Sequence, residues 1–266
     1  MIQELLRERQ VVRVSALSEL LGVSEVTIRR DLEAMERKGL LERTHGGAVR
    51  AQHMRIEPAY PEAAATHPEE KRLIGQTAAR LVEPGDTLFL NGGTTTLQVF
   101  RHVDVPGIRI ITNHLGIAAE AAARNVDLLL LGGQYRPASN SLVGPFATET
   151  LRRLFATKSF IGVEGISLRF GLTTPTAAEA EIARLMMERT KGAVTVVADH
   201  SKIGMVADVV IAPLEEIDRL VVDAGIDPEI RERLIEMGVE VVTAGEQVGS
   251  GLGVEVGWRG QGSLRD

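Results

Sequence analysis

Two neighbouring arginines, Arg29 and Arg30, lie in a stretch whose residue types could read and hold nucleic acid. A guanidinium can donate two parallel hydrogen bonds to a guanine edge or to a phosphate. Upstream, Gly22 can adopt the positive φ that ends a helix, and Ser24 can cap the first N–H groups of the next. The apolar residues at helical spacing in that second helix are Ile28, Leu32 and Met35. Together these features predict a helix-turn-helix whose second helix enters a DNA major groove.

A capped turn with solvent-exposed arginines is the alternative explanation for the same residues. The flanks favour DNA binding, because apolar residues predict two helices, the first starting almost at Met1, and a glycine turn at Gly46 predicts a hairpin wing. His45 in that wing can reach phosphates, or it can simply order the turn. We expect base contacts from Ser24, Glu25, Val26 and Arg29, and phosphate contacts from Thr27, Arg30, Arg43 and His45.

A second candidate site follows three predicted strands, each of which ends in small and polar residues. Asn91-Gly92-Gly93-Thr94-Thr95-Thr96 opens a helix, so its N–H groups and hydroxyls can bind a phosphate. Thr112-Asn113 follows the second strand, and Gly132-Gly133 follows the third. Because ligands of open parallel sheets bind beyond the carboxyl ends of the strands, these turns favour a phosphate-bearing small molecule. Plain tight connections are the alternative.

Polar residues also follow two later strands. Glu164 lies after one strand, and Asp199-His200-Ser201-Lys202 closes another, which places Lys202 to neutralise a phosphate unless it is a surface lysine in a turn. No Walker ending, acid–base pair, nucleophile with a partner or metal-ligating cluster is evident. We therefore expect neither catalysis nor a metal or other cofactor.

Composition limits the function classes further. With 266 residues, 44% hydrophobic and 25% charged, the chain fits a globular protein of two domains. It has no cysteine, no signal-peptide pattern and no apolar run near the roughly 20 residues that span a bilayer. We expect a cytoplasmic protein with no membrane contact.

The charge distribution indicates which part of the chain contacts DNA. Net charge is −6, yet residues 29–55 contain seven basic and four acidic residues. Residues 58–266 contain twenty basic and twenty-seven acidic residues. Phosphate binding depends on local rather than total charge, so only the N-terminal module is expected to touch DNA.

These sites require an α/β fold in two parts: a three-helix winged helix-turn-helix, then a mainly parallel sheet covered by helices on both faces. We place the DNA-binding domain at residues 1–57, a proline-containing linker at 58–68, the effector domain at 69–245 and a loose glycine-rich tail at 246–266. The predicted strands are Thr87–Leu90, Ile108–Thr112, Leu128–Leu131, Ser159–Val163, Val194–Ala198, Val209–Ala212, Leu220–Val222 and Val239–Thr243. Glu164–Ser167 and Gly171–Pro175 are predicted as a polar loop.

Several blocks of the chain resemble the DeoR family of bacterial transcription regulators. The N-terminal blocks are Leu21-Gly22-Val23-Ser24, Thr27-Ile28-Arg29-Arg30-Asp31-Leu32, Gly39-Leu40 and His45-Gly46-Gly47-Ala48. The later blocks are Glu70-Lys71 with Ile74, Asn91-Gly92-Gly93-Thr94-Thr95, Thr112-Asn113, Gly132-Gly133, Leu142-Val143-Gly144-Pro145, Gly171-Leu172-Thr173 and Asp199-His200-Ser201-Lys202. Ala183 and Asn91 differ from the lysine and aspartate common there, which leaves the sugar unidentified.

The resemblance implies an effector domain similar to ribose-phosphate isomerases and glucosamine-phosphate deaminases, with Lys71 and Asp199 among its ligand residues. It implies a repressor of a carbohydrate or polyol catabolic operon, bound to double-stranded operator DNA as a homo-oligomer (dimer or tetramer) and released by a phosphorylated sugar or polyol. One alternative is an active isomerase, disfavoured because Gly162–Ile166 holds one carboxylate where the related isomerases have three. Another is a DNA-binding protein without a ligand.

Overall fold

The computed structural model describes residues 1–2, 5–6, 11–37, 40–43, 46–50, 52–53, 57–124 and 126–245. His45 and the predicted tail, residues 246–266, lie outside these ranges. Within them, a small helical module with an antiparallel sheet precedes a larger α/β region. Among the described helices, none is long and apolar enough to cross a membrane.

The N-terminal module combines two consecutive helices with a three-stranded sheet. Its elements are β1 (Val11–Arg13), α1 (Val14–Leu21), α2 (Glu25–Arg37), β2 (Leu41–Arg43) and β3 (Gly47–Arg50). The hairpin of β2 and β3 is the predicted wing, whereas β1, which pairs antiparallel with β3, was not predicted. The buried core is formed by Leu6, Val12, Val14, Leu17, Ile28, Leu32, Leu41 and Ala48. This arrangement confirms the winged helix-turn-helix, while most of the predicted first helix lies outside the described residues.

A seven-stranded parallel sheet forms the centre of the second region. Its strands are β5 (Thr87–Leu90), β6 (Arg109–Thr112), β7 (Asp127–Leu130), β10 (Lys158–Gly162), β13 (Val194–Val197), β16 (Arg219–Asp223) and β17 (Glu240–Ala244). Their spatial order is β17-β16-β13-β10-β5-β6-β7, and every neighbouring pair is parallel. The chain reverses its direction of winding beside β5 and β10, which is where open sheets bind ligands.

Helices cover both faces of this sheet, as predicted. One buried cluster unites Leu88 and Leu90 with α4 (Pro68–Ala79), α5 (Thr94–His102) and α6 (Leu115–Ala121). A second cluster, which contains Phe89 from the opposite face of the same strand, includes the helices α7 (Pro145–Leu151), α8 (Ala177–Glu188) and α9 (Pro228–Glu236). Successive residues of a strand point to opposite faces, so one apolar strand serves both layers.

Some segments differ from the prediction. The expected polar loop contains β11 (Gly165–Ser167) and β12 (Gly171–Thr174), and the prediction that Val209–Ala212 joins the parallel sheet is wrong. That strand, β15, pairs antiparallel with β12. Threonine-rich segments fit a strand as readily as a turn, and only a distant partner decides between them. A hairpin of β8 (Gln134–Arg136) and β9 (Ser141–Val143) also follows β7.

The segment between the two regions is partly helical. The predicted linker contains α3 (Tyr60–Ala65), which has a proline at its second position. Just before it, β4 (Gln52–His53) pairs with β14 (Met205–Val206) of the second region. A salt bridge of 3.5 Å also joins Arg13 of β1 to Glu229 of α9. The linker and the module therefore contact the second region at several points.

Candidate functional site

The turn between α1 and α2 has the geometry that the sequence predicts. Gly22 adopts φ 65° and ends α1, while its N–H donates to the carbonyl of Ser18. Ser24 Oγ accepts a hydrogen bond of 3.3 Å from the backbone N–H of Thr27. This cap lets α2 begin directly after the turn, with Ile28 and Leu32 buried beneath it.

Most of the predicted DNA-contact set is exposed, on α2 and at the residue before it, whereas Arg43 is half-buried in the wing and His45 lies outside the described residues. Its exposed members are Ser24, Glu25, Val26, Thr27, Arg29 and Arg30. Val26 is 76% exposed, so an isolated apolar side chain projects where a thymine methyl could meet it. Arg29 donates a hydrogen bond of 3.1 Å to Glu25, and Arg43 in the wing donates one of 2.9 Å to Glu33. Such exposed ion pairs contribute little to the stability of the fold, so they can open when the arginines contact DNA.

A cleft lies at the carboxyl ends of β5, β6, β10 and β13. It is partly open to solvent and lined by both apolar and polar side chains, as small-molecule sites are. The predicted ligand residues that line it are Lys71, Asn91, Gly92, Gly93, Thr94, Thr95, Asn113, Glu164, Asp199 and Lys202. The geometry thus brings together residues as far apart in the chain as Lys71 and Lys202.

One part of the cleft has the groups that hold an anion. Gly92 to Thr95 line it at the start of α5, where the first N–H groups of the helix have no partner within the helix. A Cβ atom on Gly92 would lie 2.6 Å from Cβ of Ser141, so only glycine permits this close approach. Lys202 lines the same cleft and pairs with Glu164.

Lys71 is the more buried of the two lysines in the cleft. Its side chain is 5% exposed, and Nζ donates hydrogen bonds to the carbonyls of Ala63 (2.6 Å) and Thr66 (2.8 Å). Asp199 Oδ2 lies 3.9 Å from the same nitrogen. Burial lowers the pKa of Lys71, and the Asp199 carboxylate opposes that change.

The two asparagines of the cleft have different surroundings. Asn91 donates to the carbonyl of Gly162 (2.9 Å) and accepts from its N–H (2.8 Å), so its amide joins the ends of β5 and β10. Asn113 donates through Nδ2 to the carbonyl of Leu142 (2.9 Å). Its Oδ1 is buried and accepts no hydrogen bond from any described residue. A buried acceptor of this kind calls for a donor, since leaving it unpaired costs about 1–3 kcal/mol.

Four residues of the predicted ligand set lie outside the cleft lining. Thr96 Oγ1 donates to the carbonyls of Asn91 and Gly93, and Thr112 Oγ1 donates to the carbonyl of Leu90. Gly132 and Gly133 are exposed at the connection from β7 to β8. The threonine hydroxyls therefore stabilise the backbone that shapes the cleft, and we leave all four residues out of the proposed ligand contacts.

The sequence reasoning missed the part of the cleft that the linker supplies. Glu57, Tyr60, Ala63 and Thr66 line it, as does Glu179 of α8. Burial raises the pKa of Glu179, which holds a hydrogen bond of 3.0 Å from Thr176. The proline and glutamate at the start of α3 are a helix-start signal that was available, but nothing local indicates where the helix packs.

Comparison with protein families agrees with both regions. The model of the DeoR-like helix-turn-helix domain matches residues 1–53, and the model of the DeoR C-terminal sensor domain matches residues 66–224. The chain belongs to the DeoR family. It is therefore a DNA-binding transcriptional regulator, and its relatives are named as regulators rather than enzymes.

Full-length relatives support this assignment. The HTH-type transcriptional regulator GlpR of Haloferax volcanii is 37% identical over 91% of this chain and 94% of its own. The transcriptional repressor AccR of Agrobacterium fabrum is 34% identical over 84% and 88%. The regulator IolR of Bacillus subtilis is 30% identical over 86% and 91%. This member of the DeoR family thus matches its relatives along nearly their whole length.

Among solved structures, ribose 5-phosphate isomerase A from Methanocaldococcus jannaschii overlaps 52% of this chain and 55% of its own, with 14% identity and a TM-score of 0.39. An overlap this limited does not bear on function. The mixed α/β architecture and the parallel sheet are established by the strand pairing itself.

Proposed function

We propose that this DeoR-family regulator is a repressor of a carbohydrate or polyol operon and that a phosphorylated sugar or polyol in the cleft releases it from DNA. Relatives named as repressors support repression rather than activation. The cleft supports the chemistry of the effector. The DNA contacts would come from the exposed face of α2 and from the wing.

One observation carries the choice of effector. The cleft combines an anion-binding part, built from the start of α5 with Lys71 and Lys202, with Asn113, whose buried Oδ1 accepts no hydrogen bond from the described part of the chain. A phosphate dianion has no hydrogen to donate, whereas a sugar or polyol hydroxyl has one. Carboxylates along the same cleft can accept further hydroxyl hydrogens. A phosphate ester with a hydroxylated carbon chain satisfies both parts.

Release from DNA follows by thermodynamic linkage. The effector weakens DNA binding only if it prefers the arrangement of the chain that binds DNA less well. If the coupling is typical, effector saturation reduces operator affinity by about 5–150-fold. The proposed repressor acts as a homo-oligomer on repeated operator sites, as the family resemblance implies.

Asn113→Ala tests the assignment of the hydroxyl-recognising part. Wild type is first screened by thermal shift against glycerol 3-phosphate and pentose and hexose phosphates, with unphosphorylated sugars as controls. We expect the variant to bind the responding phosphate ester about tenfold more weakly, because one buried hydrogen bond is lost, while binding inorganic phosphate normally. Ser159→Ala is the matched control, because Ser159 Oγ is also buried without a partner among the described residues yet lies outside the cleft lining.

The same ligand is then added to a complex with a duplex selected by the protein from random DNA. Release of the duplex by the phosphate ester and not by the free sugar supports the proposal. A wild-type protein that shows no thermal shift with any phosphate ester, or that binds its duplex equally well with and without one, contradicts it. Recovery of a chemically converted sugar phosphate would instead favour the isomerase alternative.

A further inference from the structure

The linker helix α3 lies across the carboxyl edge of the parallel sheet and forms part of the cleft wall. Its first residue, Tyr60, contacts His114 at the end of β6, and the carbonyls near its end contact Lys71, beside Asp199 at the end of β13. β5 and β10 lie between β6 and β13 in the sheet. The helix therefore crosses the strand ends that bear the proposed ligand residues.

The start of this segment is held by an ion pair. The carboxylate of Glu57 accepts two hydrogen bonds from Arg136 of β8, one of them 2.9 Å long. Both side chains are mostly buried, with exposed fractions of 20% for Glu57 and 16% for Arg136. Arg136 also lies 3.5 Å from Glu179. A paired guanidinium of this geometry fixes direction as well as position.

The contact between Tyr60 and His114 depends on the tautomer of this buried histidine. His114 Nδ1 accepts hydrogen bonds from the backbone N–H groups of Gly116 and Ile117, so Nε2 carries the proton. Nε2 then donates to Tyr60 Oη over 3.0 Å. The two rings also meet edge to face, with centroids 5.5 Å apart. Tyr60 is thus held by the residue that caps α6.

The end of the linker helix is held by a residue of the cleft. Lys71 Nζ donates to the carbonyls of Ala63 and Thr66, which belong to the last turn of α3 and the residue after it. Helix carbonyls at that end have no partner within the helix and carry partial negative charge. One ammonium group therefore fixes the linker and at the same time faces the cleft.

We propose that α3 is a wall of the effector site and that Lys71 couples the two: an anionic effector near Lys71 stabilises the docked linker. This inference rests on the proposed function, because it takes the cleft to bind a phosphate ester. An anion in the cleft attracts the same ammonium group that donates to the carbonyls of Ala63 and Thr66, so the effector and the docked linker share one cation. Glu57 and Tyr60 then contribute to ligand recognition from outside the sheet domain.

The experiment compares two lysines that line the same cleft. Lys71→Met removes a cation and releases α3, whereas Lys202→Met removes a cation whose contact is Glu164 rather than the linker. Hydrogen exchange of residues 57–66, which contain α3, is followed in the full chain. Without ligand, we expect Lys71→Met to speed exchange of the α3 amides about tenfold or more, and Lys202→Met to leave it unchanged.

The second arm adds inorganic phosphate as the probe. We expect phosphate to slow linker exchange in wild type and, at higher concentration, in Lys202→Met, but not in Lys71→Met. Tyr60→Phe removes the hydroxyl that contacts His114 while keeping the ring, and it should speed α3 exchange even if Lys71→Met folds poorly.

Each outcome decides the inference. Linker exchange in Lys71→Met and Tyr60→Phe that stays as slow as in wild type overturns it, even if phosphate still raises the unfolding temperature and the proposed function stands. Wild-type linker exchange that ignores phosphate overturns the coupling. If phosphate esters also leave thermal unfolding unchanged, the proposed function fails with it.

Discussion

The recognition helix and the cleft are assembled in opposite ways. The proposed DNA face comes from residues that are close in the chain, between Ser24 and Arg30, all of them exposed except the buried Ile28. The cleft takes its residues mainly from four strand ends, three helices, a hairpin and the linker, and most of them are buried or half-buried. Local spacing is therefore enough to place the proposed DNA-contact residues, whereas the cleft exists only after the sheet has formed. Changes in the two regions should consequently have separable effects.

Leu32→Ala should give the largest effect and tests whether the N-terminal module folds by itself. Leu32 is fully buried in a small core, so its truncation should cost about 2–5 kcal/mol and abolish DNA binding. Val26→Ala on the exposed face of the same helix is the control and should leave stability unchanged. Thermal unfolding with and without a phosphate ester is the measurement. A lost ligand-induced shift in Leu32→Ala would show that the two regions are not independent.

The pH dependence of stability should report on the cleft region. Burial, as the main cause, lowers the pKa of His114 from 6.5 to about 4. Above pH 6.5 both folded and unfolded chains have neutral His114, but between pH 6.5 and 4 only the unfolded chain binds the proton. Stability is thus fully present above pH 6.5 and falls as the pH drops, by roughly 3 kcal/mol at most from this residue.

Urea unfolding of wild type and His114→Asn at pH 7 and pH 4.5 checks this expectation. Asparagine can still cap α6, but it does not titrate in this range. The stability advantage of wild type should shrink toward pH 4.5. An advantage that is constant between the two pH values would mean that His114 is not held neutral by burial.

Arg29→Ala should give the smallest effect, confined to DNA choice. Loss of a bidentate guanine contact costs about 1–3 kcal/mol of discrimination, while the exposed pair with Glu25 contributes little to folding. Arg30→Ala is the comparison: it should weaken binding to all duplexes alike and lower the salt dependence by about one phosphate contact. Competition between selected and random duplexes measures both. If Arg29→Ala binds both duplexes in the wild-type ratio, the base contact is wrongly assigned.

The sequence by itself determined the parts whose partners lie within one or two turns of chain. Gly22 and Ser24 set the helix-turn-helix, because a positive φ and a side-chain cap act over three or four residues. Apolar strands such as Thr87–Leu90 were recognisable because both faces of a parallel sheet are buried.

Only the tertiary structure decided what the polar residues at the strand ends do. Asn91 and Asn113 have the same side chain and each follows directly after a strand. The Asn91 amide makes two hydrogen bonds with Gly162, whereas Oδ1 of Asn113 accepts none from the residues that the structure describes. Likewise, a linker of proline and alanine gives no local sign that Tyr60 and Glu57 lie over the cleft. A hydrogen bond depends on which groups meet in space, and these groups lie tens of residues apart in the chain.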